Sequence, residues 1–249
     1  MNILALIPAR MGSSRFPGKP LALILGKPMI EHVYLNVRKC SLLTSVVVAT
    51  CDLEIYEYIN SIGGKAIMTK NTHERASDRC AEALLKLEKI NKIKYDIVVM
   101  VQGDEPMVAH EMLTEAVTPM IKDSNIEVIN LLGDIKSKDE FHDENCIKVV
   151  CDSNNNALFF SRQPIPTCNK DNINCMKKQV CIIPFKRDFL IKYTGLSPTP
   201  YEKLESIDML RVLENGKSVK MVPTQHESFA VDTPKDLIRV EKLMKNKLN

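Results

Sequence analysis

Apolar residues arrive in short runs separated by amphipathic segments of helix length. Ile3 to Ile7 has the continuous pattern of a buried strand. Pro28 to Cys40 has helical spacing, with Ile30, Val33, Tyr34 and Val37 on one face. Ser45 to Thr50 is a second β-branched run and Ala66 to Thr69 a short third. Ala76 to Ile90 predicts a helix with Ala81, Leu84, Leu85 and Ile90 turned inward, and Tyr95 to Val101 predicts another apolar strand. Strands alternating with helices predict an α/β fold with a parallel sheet covered by helices on both faces.

After about residue 125 the pattern changes. Ile126 to Leu132, Ile147 to Cys151, Ala157 to Phe160 and Gln179 to Phe185 read as strands with few helices between them, and Asn154-Asn155-Asn156 as a hairpin turn. Pro164 to Lys178 is a polar loop without periodicity. Helical patterning returns from Tyr201 to Glu214, a strand follows at Ser218 to Val222, and a helix runs from Pro234 onward. The economical reading is a single α/β domain over residues 1–249 with a β-rich insertion at about 140–200.

Composition narrows the function classes. Hydrophobic residues make up 45% and charged residues 26%, which suits a globular chain. The net charge of +3 does not suggest a protein that coats nucleic acid. No apolar stretch of about 18 residues reads as a membrane span. Met1 to Pro8 goes straight into a strand without the basic start of a secretion signal, so a cytoplasmic location is expected. The eight cysteines form no C-x-x-C pair. A metal on Cys168, Cys175 and Cys181 matches no zinc pattern, so these thiols are read as reduced buried or surface residues.

Three constellations carry chemistry. The loop after the first strand, Pro8 to Pro20, holds Arg10, Arg15 and Lys19, no acid, and two of the chain's nine glycines. Glycines let backbone N–H groups approach phosphate oxygens, while Arg and Lys neutralise their charge, so the loop reads as a triphosphate cradle rather than a solvated basic loop. It is no Walker A motif: five residues separate Gly12 from Gly18, and Pro20 follows Lys19. The second constellation is Gln102-Gly103-Asp104-Glu105-Pro106 at the end of the Tyr95 strand, where an acid faces the same crevice. Asp232, before Thr233-Pro234, is a second acid, though by itself it reads first as a helix cap. The third is His73 to Arg79, where Ser77 or a neighbour caps a helix and Arg79 reaches a base or phosphate.

Together these motifs, with Gly26 to Ile30, Phe160-Ser161-Arg162 and Val231 to Leu237, closely resemble the 3-deoxy-manno-octulosonate (Kdo) cytidylyltransferases, the CMP-Kdo synthetases. The resemblance implies a nucleotide-diphospho-sugar-transferase-like three-layer sandwich with a mostly parallel sheet, and a homodimer formed through the β-rich insertion, which also serves the acceptor. It implies CMP transfer from CTP to an anionic acceptor, Mg²⁺ as cofactor and pyrophosphate as product, in precursor synthesis for lipopolysaccharide or capsule. In the family pattern Arg10, Arg15 and Lys19 fall at triphosphate positions, Asp104 and Asp232 at metal-ligand positions, and Ala9, Ser77, Arg79 and Gln102 on the nucleotide. Arg10, Lys19, Asp104 and Asp232 are thereby the catalytic candidates, and Asp232 rises above its capping role.

The acceptor half departs from the pattern. A family His-x-Gly-Ile-Tyr strand is here Gln179-Val180-Cys181-Ile182-Ile183, and a family Glu-Gln-Leu-Arg is Asp208-Met209-Leu210-Arg211. A site built to bind hydroxyls loses heavily when its polar groups go. Beside Kdo, the acceptor is therefore open to another 2-keto sugar acid, a phosphonate, or a phosphorylated amino acid of the phosphoglutamine type. Arg162, Gln179 and Asp208 are the acceptor candidates, with Lys177, Lys178 and Arg187 as further cations. The competing reading is a non-catalytic CTP-binding regulator, which has no need of two acids and Lys19.

Overall fold

The computed structural model describes residues 1–13, 15–167 and 175–248. Expectations placed on Ser14, Cys168, Asn169, Lys170 and Asp171 fall outside the described residues. The chain divides into two compact units, Met1–Thr114 with Glu227–Asn249, and Glu115–His226.

The first unit begins with β1 (Ile3–Ala9), all seven residues buried. A 3-10 turn (Lys19–Leu21) leads to the small hairpin β2 (Leu23–Ile24) and β3 (Lys27–Pro28). Then come α1 (Met29–Val37), β4 (Ser45–Thr50), α2 (Leu53–Ser61), β5 (Ala66–Met68), α3 (Ala76–Asn91) and β6 (Ile97–Val101). β6, β1, β4 and β5 lie side by side, every pair parallel. β1 and β6 are buried along their whole length, which requires cover on both faces. From β1 the chain moves outward to β4 and β5, then crosses back through α3 to β6. With right-handed crossovers, α3 therefore packs on the face opposite α1 and α2. The reversal leaves a crevice beyond the carboxyl ends of β1 and β6, where open α/β sheets bind ligands.

The β2–β3 hairpin turns through Leu25 and Gly26, at φ 48° and 78°. Two consecutive positive φ values make the tight turn that matches strand twist. A leucine tolerates this because its N–H donates to Glu241 at 2.9 Å and its side chain joins a cluster with Ile24, Met29, Phe229, Val231 and Val240. That cluster ties the N-terminal hairpin to the last segment of the chain.

The chain leaves the first unit within α4 (His110–Lys122). The second unit holds β7 (Ile129–Asp134), α5 (Lys138–His142), β8 (Lys148–Cys151), β9 (Ala157–Ser161), β10 (Lys177–Val180), β11 (Ile182–Lys186), α6 (Arg187–Thr194), α7 (Pro200–Glu205), α8 (Asp208–Glu214) and β12 (Lys220–Pro223). Its sheet runs β12-β7-β10-β8-β9, antiparallel except for the parallel β12–β7 pair. The β-rich stretch expected at about 140–200 lies inside this unit, whose sheet starts at Ile129 and ends at Pro223. Among its described residues the unit holds two buried cations. Lys148 donates to the carbonyls of Asp143, Cys146 and Arg162 at 2.6–2.8 Å. Arg211 bonds Glu202 and lies over the Tyr193 ring at 4.9 Å. The first unit resumes and closes with α9 (Pro234–Leu248).

Several sequence expectations need correction. Leu85 and Ile90 are exposed; α3 buries Ala81 and Leu84 as expected, together with Ser77, Arg79, Cys80, Ala83 and Leu87. The Gln179–Phe185 run is two strands: Gln179 and Val180 pair with Leu132 and Leu131, while Phe185 bridges to Val128. The helix expected over Tyr201–Glu214 breaks at Ser206, which adopts φ 54°. Helices α2, α4, α5 and α6 carry no expectation from the pattern. Among the described residues no helix is long and apolar enough to cross a membrane.

Candidate active site

The loop after β1 is shaped by its own backbone. Gly18 N–H returns to the Met11 carbonyl at 3.0 Å, with Gly18 at φ 73°, a conformation that favours glycine. Met11 N–H donates to the Asp52 carboxylate at 2.8 Å, which pins the loop over the end of β4. The turn after β6 presses on β1 itself. A Cβ on Gly103 would lie 2.9 Å from the Pro8 carbonyl, so only glycine lets the two strand ends approach this closely.

These turns, the head of α3 and Asp232 surround a cleft of about 380 Å³ within the first unit. Ala9, Arg10, Arg15, Lys19, Arg79, Gln102, Asp104 and Asp232 all line it. Ser77 does not: it is fully buried in the first turn of α3. Ser13, His73, Glu74 and Arg75, which the motifs span without giving them a role, line the cleft as well.

At the floor, Lys19 Nζ lies 2.6 Å from Asp104 Oδ2 and 3.5 Å from Asp232 Oδ1. Arg15 meets Asp232 Oδ1 at 2.8 Å. Asp232 does not cap α9. Asp236 N–H donates to Thr233 Oγ1 at 3.4 Å, and the Asp236 carboxylate accepts from the N–H groups of Asp232 and Thr233 at 3.1 and 2.8 Å. The capping exchange belongs to Thr233 and Asp236, which leaves the Asp232 carboxylate to the cleft. Burial and the neighbouring Asp104 charge hold the Asp232 pKa above the usual carboxylate range, against the pull of Lys19 and Arg15.

Arg79 is 3% exposed. One terminal nitrogen donates to Thr69 Oγ1 at 2.6 Å and to the Lys70 carbonyl at 3.3 Å, while Nη2 has no hydrogen-bond partner among the described residues. A buried guanidinium nitrogen in a cleft wall is a donor awaiting an acceptor. Beside it, Glu82 gathers His73, Lys86 and the Lys70 N–H. Burial would raise its pKa, but these contacts prevail and lower it to about 2.

The acceptor candidates all lie in the second unit and all have partners there. Arg162 donates to the carbonyls of Glu205, Glu144 and Ser206 at 2.7, 2.9 and 3.3 Å. Gln179 gives its amide N–H to Asn130 Oδ1. Asp208 opens α8, and its carbonyl accepts the Tyr193 hydroxyl at 2.9 Å. Lys177, Lys178 and Arg187 pair with Asp134, Glu140 and Asp188. Ile183 and Met209, read as altered pocket walls, are 2% and 0% exposed and belong to the core.

Among the described residues no three His, Cys, Asp or Glu side chains group to hold a metal. Two facing carboxylates still suit Mg²⁺, which takes one or two carboxylates together with substrate phosphates. Burial first, and the Asp104 charge second, disfavour the ionised form of Asp232, an arrangement that a divalent cation would suit.

The model of the cytidylyltransferase family matches residues 4–219. The chain is 43% identical over 98% of both chains to the 3-deoxy-manno-octulosonate cytidylyltransferase of Geobacter metallireducens. It is 41% identical, over 96% of both, to that of Pelobacter propionicus. A solved CMP:2-keto-3-deoxy-manno-octonic acid synthetase complexed with CTP superposes with a TM-score of 0.88 and 36% identity, over 99% of this chain and 100% of the other. A cytidylyltransferase from Leptospira borgpetersenii, 18% identical, shares the fold at a TM-score of 0.66. A cationic loop, two carboxylates and an arginine at one switch-point cleft thus sit on a chain related along nearly its whole length to these enzymes, and the chain belongs to the 3-deoxy-manno-octulosonate cytidylyltransferase family of nucleotidyltransferases.

Proposed function

We propose that the cleft binds CTP with Mg²⁺ and transfers CMP to a small anionic acceptor, releasing pyrophosphate. The observation that carries this is the meeting of Lys19, Asp104 and Asp232 under the cationic loop. Arg10, Arg15 and Lys19 hold the triphosphate and neutralise its charge as pyrophosphate leaves. Arg79 offers its spare N–H to a base or ribose oxygen, with Ala9 and Gln102 beside the same nucleoside. Asp104 and Asp232 hold Mg²⁺, which would screen phosphate charge and lower the pKa of an attacking hydroxyl. The chain's own part is alignment and charge: the acceptor oxygen attacks the α-phosphorus in line with the departing pyrophosphate.

The relatives' name points to Kdo as acceptor; precursor synthesis for surface polysaccharide and a cytoplasmic location belong to this reading through the sequence resemblance. Gln179 supports a second reading, an acceptor other than Kdo, because an amide held by Asn130 stands where the resemblance places an imidazole. Pyrophosphate release from CTP and Mg²⁺ is measured against Kdo, another 2-keto sugar acid, a phosphonate and a phosphorylated amino acid. Release with Kdo supports the first reading; release with another anion alone supports the second. CTP binding without release for any acceptor overturns the transferase proposal in favour of a regulator.

A further inference from the structure

Asp104 and Asp232 stand on two segments that share no strand ladder: the turn after β6 and the irregular stretch from residue 227 to 233 that precedes α9. Two bonds stitch these segments together. Val231 N–H donates to the Asp104 carbonyl at 2.9 Å. Next along the turn, the Glu105 carboxylate accepts the Ser228 hydroxyl. Glu105 is 5% exposed, in a turn closed by its own N–H to Gln102 at 3.4 Å and by Val108 N–H to its carbonyl at 3.1 Å. A buried carboxylate is costly unless hydrogen-bonded, so losing the Ser228 donor disfavours the present backbone position. Phe229 and Val231 lie in the apolar cluster with Ile24 and Met29. That packing holds the stretch down, but apolar contact does not fix its register to a fraction of an ångström. The two polar stitches add the direction and length that apolar packing lacks.

We infer, building on the proposed function, that Glu105 and Ser228 are positioning residues that set the separation of the Asp104 and Asp232 carboxylates. Each stitch anchors a residue next to, or a few places from, one of the acids. Loosening the Ser228 contact leaves both carboxylates present but mismatched to a shared divalent ion. Groups that hydrogen-bond a metal ligand directly are worth roughly 10–100-fold in metal affinity, so a stitch one residue removed should fall at the low end of that range.

The test titrates Mn²⁺ into the full chain with CTP and no acceptor, read by electron paramagnetic resonance, with CTP affinity measured separately by calorimetry without metal. Ser228→Ala should weaken Mn²⁺ binding about tenfold while metal-free CTP affinity stays as in the parent chain. Ser228→Thr, which keeps the hydroxyl, should restore Mn²⁺ affinity. Parent-like Mn²⁺ binding by Ser228→Ala overturns the inference, whatever happens to its melting temperature. So does a Ser228→Thr protein that melts like the parent yet binds Mn²⁺ as weakly as the alanine variant. Absence of Mn²⁺ binding by the unmutated chain strikes the metal reading of Asp104 and Asp232 itself, a failure distinct from either result with the variants.

Discussion

The Lys19 ammonium lies 2.6 Å from the Asp104 carboxylate, although 85 positions separate the two in sequence. β1 and β6 are neighbours in the sheet, so the loop leaving one and the turn leaving the other open onto the same crevice. The contact joins the cationic half of the site to its acidic half.

Replacing Asp104 with Asn keeps the size of the side chain and removes its charge. Turnover should fall by about a hundredfold or more, the several kcal/mol that a metal contributes to transition-state charge. Circular dichroism and the melting curve should stay those of the parent. Normal pyrophosphate release by Asp104→Asn would remove this residue from the reaction.

Arg79→Lys keeps a positive charge but loses the guanidinium fork. If Nη2 is the donor for the nucleotide, calorimetry should show CTP affinity about tenfold weaker or more, the worth of one hydrogen bond from a charged group. Thr69→Val removes one of the two partners on the other terminal nitrogen and serves as the control. Equal CTP affinities for Arg79→Lys and the parent would assign Arg79 to packing alone.

Contacts with Lys86, His73 and the Lys70 N–H outweigh burial and lower the Glu82 pKa in the folded state from the ordinary 4.5 to about 2. The depressed value means that the folded state holds its proton less tightly than the unfolded chain. The stabilisation is therefore complete above pH 4.5 and is lost as pH falls from there toward about 2. Urea unfolding at pH 6 and pH 3 should show a smaller loss on acidification for Glu82→Gln than for the parent. An identical acid dependence in both proteins would count against the assignment.

Gln179→His should raise kcat/KM for Kdo if this position reads the acceptor. Ile183→Tyr should not help. Ile183 is 2% exposed, and forcing a ring into that core costs about 1–3 kcal/mol, visible as a lower melting temperature. An unchanged Kdo response in Gln179→His would place acceptor recognition elsewhere in the chain.

Arg211 and Glu202 form an ion pair with side chains 2% and 0% exposed. Arg211→Met strands a carboxylate without its guanidinium and should cost about 3–5 kcal/mol in urea unfolding. A loss under about 1 kcal/mol would show that water reaches the pair.

The parts of this fold that declare themselves in sequence are those with one dominant force. β1, β4 and β6 are unbroken apolar runs because both faces are covered, and Asp104 stands out because it follows such a run directly. α2 gives no signal in sequence because only Ile55 and Ile59 are buried, a stripe too short to show a period. In α3 the inward face uses Ser77, Arg79 and Cys80, so a count of large apolar residues turned Leu85 and Ile90 the wrong way. Asp232 was ambiguous for a related reason. The sequence Asp-Thr-Pro is a good cap, and only the exchange between Thr233 and Asp236 shows which residue performs it. The Asn130–Gln179 bond spans 49 positions and leaves no local trace.

The first unit is interrupted by the whole of the second before Asp232 is reached. On the ribosome, the nascent chain therefore exposes Lys19 and Asp104 long before their second acid has been translated. Any product that stops short of the final segment keeps the β6-β1-β4-β5 strands yet lacks half of the carboxylate pair. On the proposed function, competence for catalysis waits until the segment that carries Asp232 has been made.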